Sequence, residues 1–479
     1  MEDKLADIYS VQKFKELGIE LIQLIADHLK NSYDKKTKVN NWVAPEQELA
    51  YWKNYKLNEN KPQQLFKDII DRSIHIHNPR YIGHQISPTV PLAALSQLVS
   101  AILNNGMAVY EMGAAGTAIE KVVIDKIAEK IGYDSNADGF VTSGGSLANL
   151  TALLAAKKVM STSDVSNASL AVMVSSEAHY SIEKALKIMG LSNESIINVP
   201  VNDAFNMQTD LLEEYYNKAH CEGKKVIAVV GSAPSTSTGM YDNLQEIAKF
   251  CDAKKIWFHV DAAHGGAAIF STEYKHLLKG LNSADSVTID GHKMLMTSSI
   301  MSFLIFKKKQ NSYAAFMQKA QYLWEKEQKE DWYDLAKRTF ECTKGMMCVQ
   351  LYSILTFYGE EVLGQFVTRL YNLGKVFAQK IKSRNDFELL LQPNSNIVCF
   401  RYKLDNVNES TLNLLNSEIR EYLLHHGDFY IVQTTLNNSV YLRVTFMNPK
   451  TDEVIMEELL DEIQRIAKLF DKNDSCHTS

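Results

Sequence analysis

Hydrophobic and polar positions along this chain change rhythm twice. Over the first forty residues Leu17, Ile19, Leu21, Ile22, Leu24, Ile25 and Leu29 recur at helical spacing, and charge interrupts them every few positions. That spacing predicts an amphipathic helix with an apolar stripe to bury, and docking on a second subunit is one way to cover it. In "NNWVAPEQELAYWKN" Pro45 opens another short helix, since a proline at the first helical position gives up no needed N–H. The stretch "HIHNPRYIGHQISPTVP" at 75–91 holds three of the nine prolines and reads as irregular.

From about 100 to 310 the period shortens. Runs rich in β-formers, "LAVMVSS" (170–176), "KVIAVVGSA" (225–233), "IWFHVDAA" (256–263), "DSVTIDG" (285–291) and "SFLIFKK" (302–308), alternate with "YSIEKALKIMG" and "DNLQEIAKFCDAKK", which have helical periodicity. Strands separated by helices predict an α/β fold, a mostly parallel sheet covered on both faces, with ligands outside the carboxyl ends of the strands. After about 335 a long helical stretch, "TKGMMCVQLYSILTFYGEEVLGQFVTRLYNLGKVFAQKIKS", leads to a smaller α+β segment with "NIVCFRY" and "SVYLRVTFMNP" as strands. The boundaries read from these shifts are 1–90, 91–335 and 336–479.

A chain of 479 residues is long for one core, in keeping with two or three domains. Its 46% apolar and 23% charged residues are ordinary for a soluble protein, and a net charge of −6 with no basic face argues against nucleic acid as a partner. The short runs "KKTK" and "KKK" read as solvated loop charge. Charge along the N-terminus excludes a signal-peptide core, and no window approaches the roughly 18 apolar residues a membrane span needs. The six cysteines form no metal-binding spacing and are sparse, so no metal site is expected and a reducing cytoplasm is.

Three motifs fall at the carboxyl ends of predicted strands. In "GFVTSGGSLANLTALLAAKK" a strand runs through Thr142-Ser143-Gly144-Gly145-Ser146 into a helix beginning with Leu147. Such a turn presents unpaired N–H groups to a phosphate, although a Gly-rich turn with a plain serine cap has the same pattern. In "WFHVDAAHGGAA" Asp261 ends an apolar strand before small residues; it caps the next segment or meets a cation. In "DSVTIDGHKM" Lys293 ends the following strand, thirty-two residues (293 − 261) on, about one βα unit away. An amine, an acid and a phosphate cradle in one pocket are what a pyridoxal-phosphate enzyme requires.

On "SGGS-AN", "HVDAA-GG" and "HK" the chain resembles the group II pyridoxal-phosphate-dependent amino-acid decarboxylases, from "NPRYIGHQ" (78–85) through "LRVTFMNP" (442–449). The resemblance implies an aspartate-aminotransferase-like fold of type I: a large cofactor-binding domain, a small C-terminal domain and an N-terminal helical segment exchanged in a homodimer. It implies that Lys293 binds the cofactor aldehyde as a Schiff base, that Asp261 pairs with the ring nitrogen and that Ala263 packs on the ring. Gly145 and Ser146 would hold the phosphate, His292 would assist, and His179 in "SSEAHYSIEKA" would stack on the ring. "WYDLAKRTFEC" matches the family's mobile loop, making Tyr333 the proton donor. Tyr81, Gln85 and Arg443 fall on the substrate side. The family's Gly-Thr-Thr turn appears here as "GSAPSTSTGMYD", which puts Thr236 at the cofactor, and His264 after "VDAA" carries no substrate assignment.

The implied reaction removes carbon dioxide from an L-amino acid to leave the amine. Two other readings stay open: an aldehyde synthase or other carbon–carbon lyase on the same fold, and a catalytically silent binding protein. Tyr rather than Phe at 333 favours simple decarboxylation, and an intact Lys293, Asp261 and His179 set speaks against a silent scaffold. The side chain of the amino acid is not legible.

Overall fold

The computed structural model describes residues 4–55, 61–161, 166–316 and 332–475. The chain divides into two units, one of residues 1–84, 376–392 and 398–479, the other of residues 85–375 and 393–397.

The second unit is built on seven strands: β1 (Asp138–Thr142), β2 (Leu170–Ser175), β3 (Ile196–Val199), β4 (Lys225–Ser232), β5 (Trp257–Asp261), β6 (Ser286–Asp290) and β7 (Ser302–Phe306). Their order is β1-β7-β6-β5-β4-β2-β3. Neighbours from β3 to β6 are parallel, and β7 runs antiparallel to both β6 and β1. Helices Gly145–Met160, Ser181–Ile188, Leu212–Cys221 and Leu244–Lys254 supply crossovers among the others, whereas no helix separates β6 from β7. Without a crossover the chain can only return antiparallel. Every residue of β1, β2, β5, β6 and β7 is buried, which is why these strands read as unbroken apolar runs. The five predicted strands all form, with small differences at their ends. The edge strand β3 escaped prediction because it is four residues long and mostly half-exposed.

In the first unit, helix Val11–Tyr33 bears the predicted stripe, and its Phe14, Ile19, Ile22 and Ile25 remain exposed. Pro45 begins helix Pro45–Lys53 as predicted. The smaller sheet comprises β8 (Phe387–Leu389), β9 (Ile397–Tyr402), β10 (Val432–Leu436) and β11 (Ser439–Thr445), in the order β10-β11-β9-β8. Helix Glu409–His426 packs on β11. The long helical stretch is two helices, Val349–Tyr358, which belongs to the second unit, and Glu361–Lys382, which the second unit holds as far as Lys375. No described helix is long and apolar enough to cross a membrane.

The edge strand β1 leads into the glycine turn, so its outer side needs partners. Glu120, on helix Tyr110–Ile131, accepts from Val141 N at 2.9 Å and from Lys344 Nζ at 2.6 Å, and Lys344 also donates to Val141 O at 2.7 Å. Both side chains are buried. The pair thus replaces a missing neighbouring strand and blunts the edge. Lys344→Met strands a buried carboxylate and is expected to cost about 3 kcal/mol or more. Urea unfolding should register that loss, and the double variant Glu120→Leu/Lys344→Met should recover only part of it, because Val141 N–H and C=O then lose their partners.

Candidate active site

Parallel pairing of β5 with β6, with Asp261 opposite Thr288, brings the carboxyl ends of both strands to one edge of the sheet. A cavity of about 380 Å³ opens there, and Asp261, Lys293 and His179 all line it. Gly145, Ser146, Thr236, Ala263 and His292 are in the same wall. Eight residues singled out from separate stretches of sequence therefore meet at one place.

Two local readings are corrected. Lys293 does not end a strand: β6 stops at Asp290 and the lysine lies in the turn beyond. Gly291 N bonds Met301 O at 2.8 Å and Thr297 N bonds Gly291 O at 3.2 Å, so the chain is already folding back toward β7. The helix after the glycine turn begins at Gly145, not Leu147, because Leu147 N and Ala148 N both bond Gly144 O at 3.1 Å. Gly144 has φ +140°, a conformation open to glycine. A Cβ on Gly145 would stand 2.9 Å from Asp290 Oδ1. The helix start carries no side-chain cap, so the N–H groups of Gly145 and Ser146, ahead of the first helical bonds, face the cavity side for another acceptor.

Asp261 is buried, with Oδ1 accepting from Ala263 N at 3.1 Å and Oδ2 from Asn149 Nδ2 at 2.8 Å. The Lys293 amine stands 3.1 Å from Asp290 Oδ2, and the Ser302 hydroxyl donates to the other oxygen of that carboxylate. His179 follows β2, with Nδ1 2.8 Å from Ser181 Oγ. Burial lowers its pKa; Asp261 opposes this and Lys293 adds to it. His259, wholly buried on β5, is pushed down to about 4, chiefly by burial. His292 Nδ1 lies 3.0 Å from Met301 O, and His264, buried in the cavity wall, has Nε2 2.8 Å from Asn396 Oδ1.

The remaining predicted residues are placed otherwise. Tyr333 and Gln85 are not among the described residues of the cavity wall; the Tyr333 ring meets that of Tyr110 edge-on at 5.6 Å. Tyr81 and Arg443 belong to the first unit. Tyr81 stacks on Tyr430, and Arg443, on β11, is buried with its pKa lowered by desolvation.

Sequence reasoning gave no role to Asn149, although it closes the "SGGS-AN" motif, nor to Ser181 or Asp290; all three are in the cavity wall. Asn149 falls four residues after Gly145, on the same face of its helix. Asp290 stands three residues before Lys293, in the quoted stretch "DSVTIDGHKM", where only His292 and Lys293 were given roles. An amine, a carboxylate held for a cation and an uncapped helix start fit an aldehyde cofactor bearing a phosphate and a protonatable ring nitrogen. Among the described residues no group of His, Cys, Asp and Glu is arranged to hold a metal ion.

A family model for the pyridoxal-dependent decarboxylase conserved domain matches residues 55–403. The chain is 32% identical over 345 residues to an L-aspartate decarboxylase of Metarhizium robertsii, covering 71% of this chain and 69% of the relative. It is 27% identical over 427 residues to the L-2,4-diaminobutyrate decarboxylase of Acinetobacter baumannii, 84% of each. The crystal structure of the glutamate decarboxylase domain of diaminobutyrate–pyruvate transaminase and L-2,4-diaminobutyrate decarboxylase from Vibrio parahaemolyticus has the same fold, with a TM-score of 0.83 at 24% identity and 95% of each chain covered.

Burial of His259 carries a pH signature. With its folded pKa near 4 against 6.5 unfolded, the unfolded chain binds the extra proton between those values, and stability falls as pH drops through that window. His259→Gln keeps a donor toward Asn149 and cannot titrate. The stability advantage of wild type over this variant should therefore shrink on acidification from pH 6.5 to 4, by up to about 1.4 kcal/mol per pH unit. Urea unfolding at pH 7 and pH 5 measures it.

Proposed function

Because the chain belongs to the pyridoxal-dependent decarboxylase family, we propose that Lys293 is the residue through which it holds pyridoxal phosphate, and that it converts an L-amino acid to the corresponding amine and carbon dioxide. It is a pyridoxal-phosphate-dependent carboxy-lyase acting on an amino acid. The observation that carries the finer reading is the single cavity shared by Lys293 and Asp261 at the ends of neighbouring strands.

When bound, pyridoxal phosphate supplies an aldehyde for an amine and a cationic ring that takes up the electron pair released with carbon dioxide. In this reading the Lys293 amine meets the aldehyde, and Asp261 keeps a proton on the ring nitrogen. Two neutral N–H donors hold Asp261 in place, so its charge is left for that cation. Gly145 and Ser146 offer the uncapped helix start to the phosphate, Thr236 gives a polar contact, Ala263 packs against the ring, and His292 braces the Lys293 turn. His179 covers the other side of the cavity. Tyr333 delivers the proton to Cα. Since Tyr333 is not in the described wall of its own cavity, we assign it to the site of a second copy. The exposed apolar residues of helices Val11–Tyr33 and Pro91–Leu103 support such a dimer. Aspartate and 2,4-diaminobutyrate, named for the relatives, are the first substrates to test.

Lys293→Ala should abolish carbon dioxide release from a panel of L-amino acids and abolish the borohydride-sensitive yellow colour; full activity in that variant refutes the assignment. Asp261→Asn should lower kcat by about 10² to 10³-fold with the cofactor still bound. Tyr333→Phe should divert product from amine to aldehyde. Mixed dimers of Lys293→Ala and Tyr333→Phe chains should regain amine formation, because one of their two sites then has both residues. Mixed dimers that gain no amine would place the donor elsewhere.

A further inference from the structure

Asn149 lies one turn into helix Gly145–Met160, wholly buried. Its Nδ2 donates to Asp261 Oδ2 at 2.8 Å and to Ser181 Oγ at 3.0 Å, and its Oδ1 stands 3.1 Å from His259 Nε2. A carboxylate can only accept, so the amide nitrogen faces Asp261 and the amide oxygen faces His259. The proton on His259 is thereby fixed at Nε2. Its Nδ1 accepts from the Ser286 hydroxyl 2.8 Å away, which in turn receives Trp257 Nε1–H at 2.9 Å; the Ser286 carbonyl oxygen, an acceptor, stands farther from the same nitrogen at 3.2 Å and gets no proton from it in this tautomer.

The second arm runs to His179. Ser181 Oγ receives the Asn149 proton and has its own left to give to His179 Nδ1 at 2.8 Å. Ser181 N–H points at the same nitrogen from 3.3 Å, and a backbone N–H can only donate. Two donors converge on Nδ1, so the neutral ring carries its proton on Nε2.

We propose that Asn149 is a positioning residue whose one buried amide sets both the orientation of the Asp261 carboxylate and the Nε2–H tautomer of His179. The inference rests on the reading that Asp261 and His179 serve the cofactor. Asn149, Ser181, His259 and Ser286 are all nearly or wholly buried, so solvent does not relax the chain of donors. The groups that act electrostatically on His179 are Asp261, Lys293, Asp290 and Lys184. Protonating Nδ1 would set its N–H against two other donors, and burial already favours the neutral ring. His179 thus keeps an Nε2–H to donate, while Asp261 keeps a fixed bearing. Neither can turn without breaking a bond to the other's support.

Magic-angle-spinning ¹⁵N NMR of histidine-labelled holoenzyme microcrystals reads the tautomers directly, with signals assigned by their loss in His179→Gln and His259→Gln. Both rings should show a protonated Nε2 and a bare Nδ1. Ser181→Ala should move the His179 Nδ1 resonance and leave that of His259 in place, and Ser181→Thr should restore it. Asn149→Asp should move both rings at once. A His179 protonated on Nδ1, or an Asn149→Asp spectrum in which His179 has not moved, overturns the proposal. Should Asn149→Asp fail to fold, the wild-type tautomers and the Ser181→Ala and Ser181→Thr spectra decide it. Protein that stays colourless with added pyridoxal phosphate would sink the cofactor reading instead, and the same spectra of the cofactor-free protein would still decide whether Asn149 orders the two arms.

Discussion

Asp261 ends β5 as a buried carboxylate whose oxygens are held by Ala263 N and Asn149 Nδ2. Burying such a charge is costly unless donors meet it, and here they are neutral. Orientation is supplied without neutralisation, so the field of the carboxylate extends into the cavity. The small residues that follow it, Ala262 and Ala263, keep that space open. The neighbouring polar side chains are arranged around this one requirement. Asn149 turns its nitrogen toward the carboxylate, and His259 stays neutral behind it to accept the consequence.

The sheet makes the constraint possible. Parallel β5 and β6 deliver Asp261 and the Lys293 turn to the same edge, and the antiparallel return into β7 folds that turn back over the strand ends. Lys293 rests against Asp290 rather than Asp261, so the cavity holds two carboxylates with separate tasks. One is paired with the amine beside it. The other is held by neutral donors, Asn149 Nδ2 and Ala263 N. On the far side of β7, the edge strand β1 is closed by Glu120 and Lys344, and this holds the glycine turn level with the cavity.

Much of this was legible along the chain. The strands showed because a strand buried on both faces admits few polar residues, and the helices because their apolar positions recur at 3.6. The three motifs were visible because each breaks a run: glycines before a helix, an acid at the end of an apolar strand, a lysine in a turn. Lys293 and Asp261 stood out as charges where apolar residues would otherwise continue. Ser181 and Asp290 did not, and Asn149 showed only as the last letter of the glycine motif, with no partner assigned. An asparagine one turn into a helix, a serine two residues past a histidine and an acid beside a lysine each have ordinary local explanations, and nothing in the one-dimensional pattern says which group each will face.

The amino-acid sequence by itself determined the alternation of strands and helices, and hence a sheet with its strand ends free for a ligand. It also supplied the amine, acid and glycine turn that the proposed chemistry needs, since residue type and period are local properties. The tertiary structure alone decided that β5 lies beside β6 and that Asp290 is the carboxylate at the lysine. It alone turned the amide of Asn149 to serve both Asp261 and Ser181. The contacts of Asn149 with Asp261 and His259 join residues more than a hundred positions apart, and hydrogen-bond direction is set only once donors and acceptors have been brought face to face.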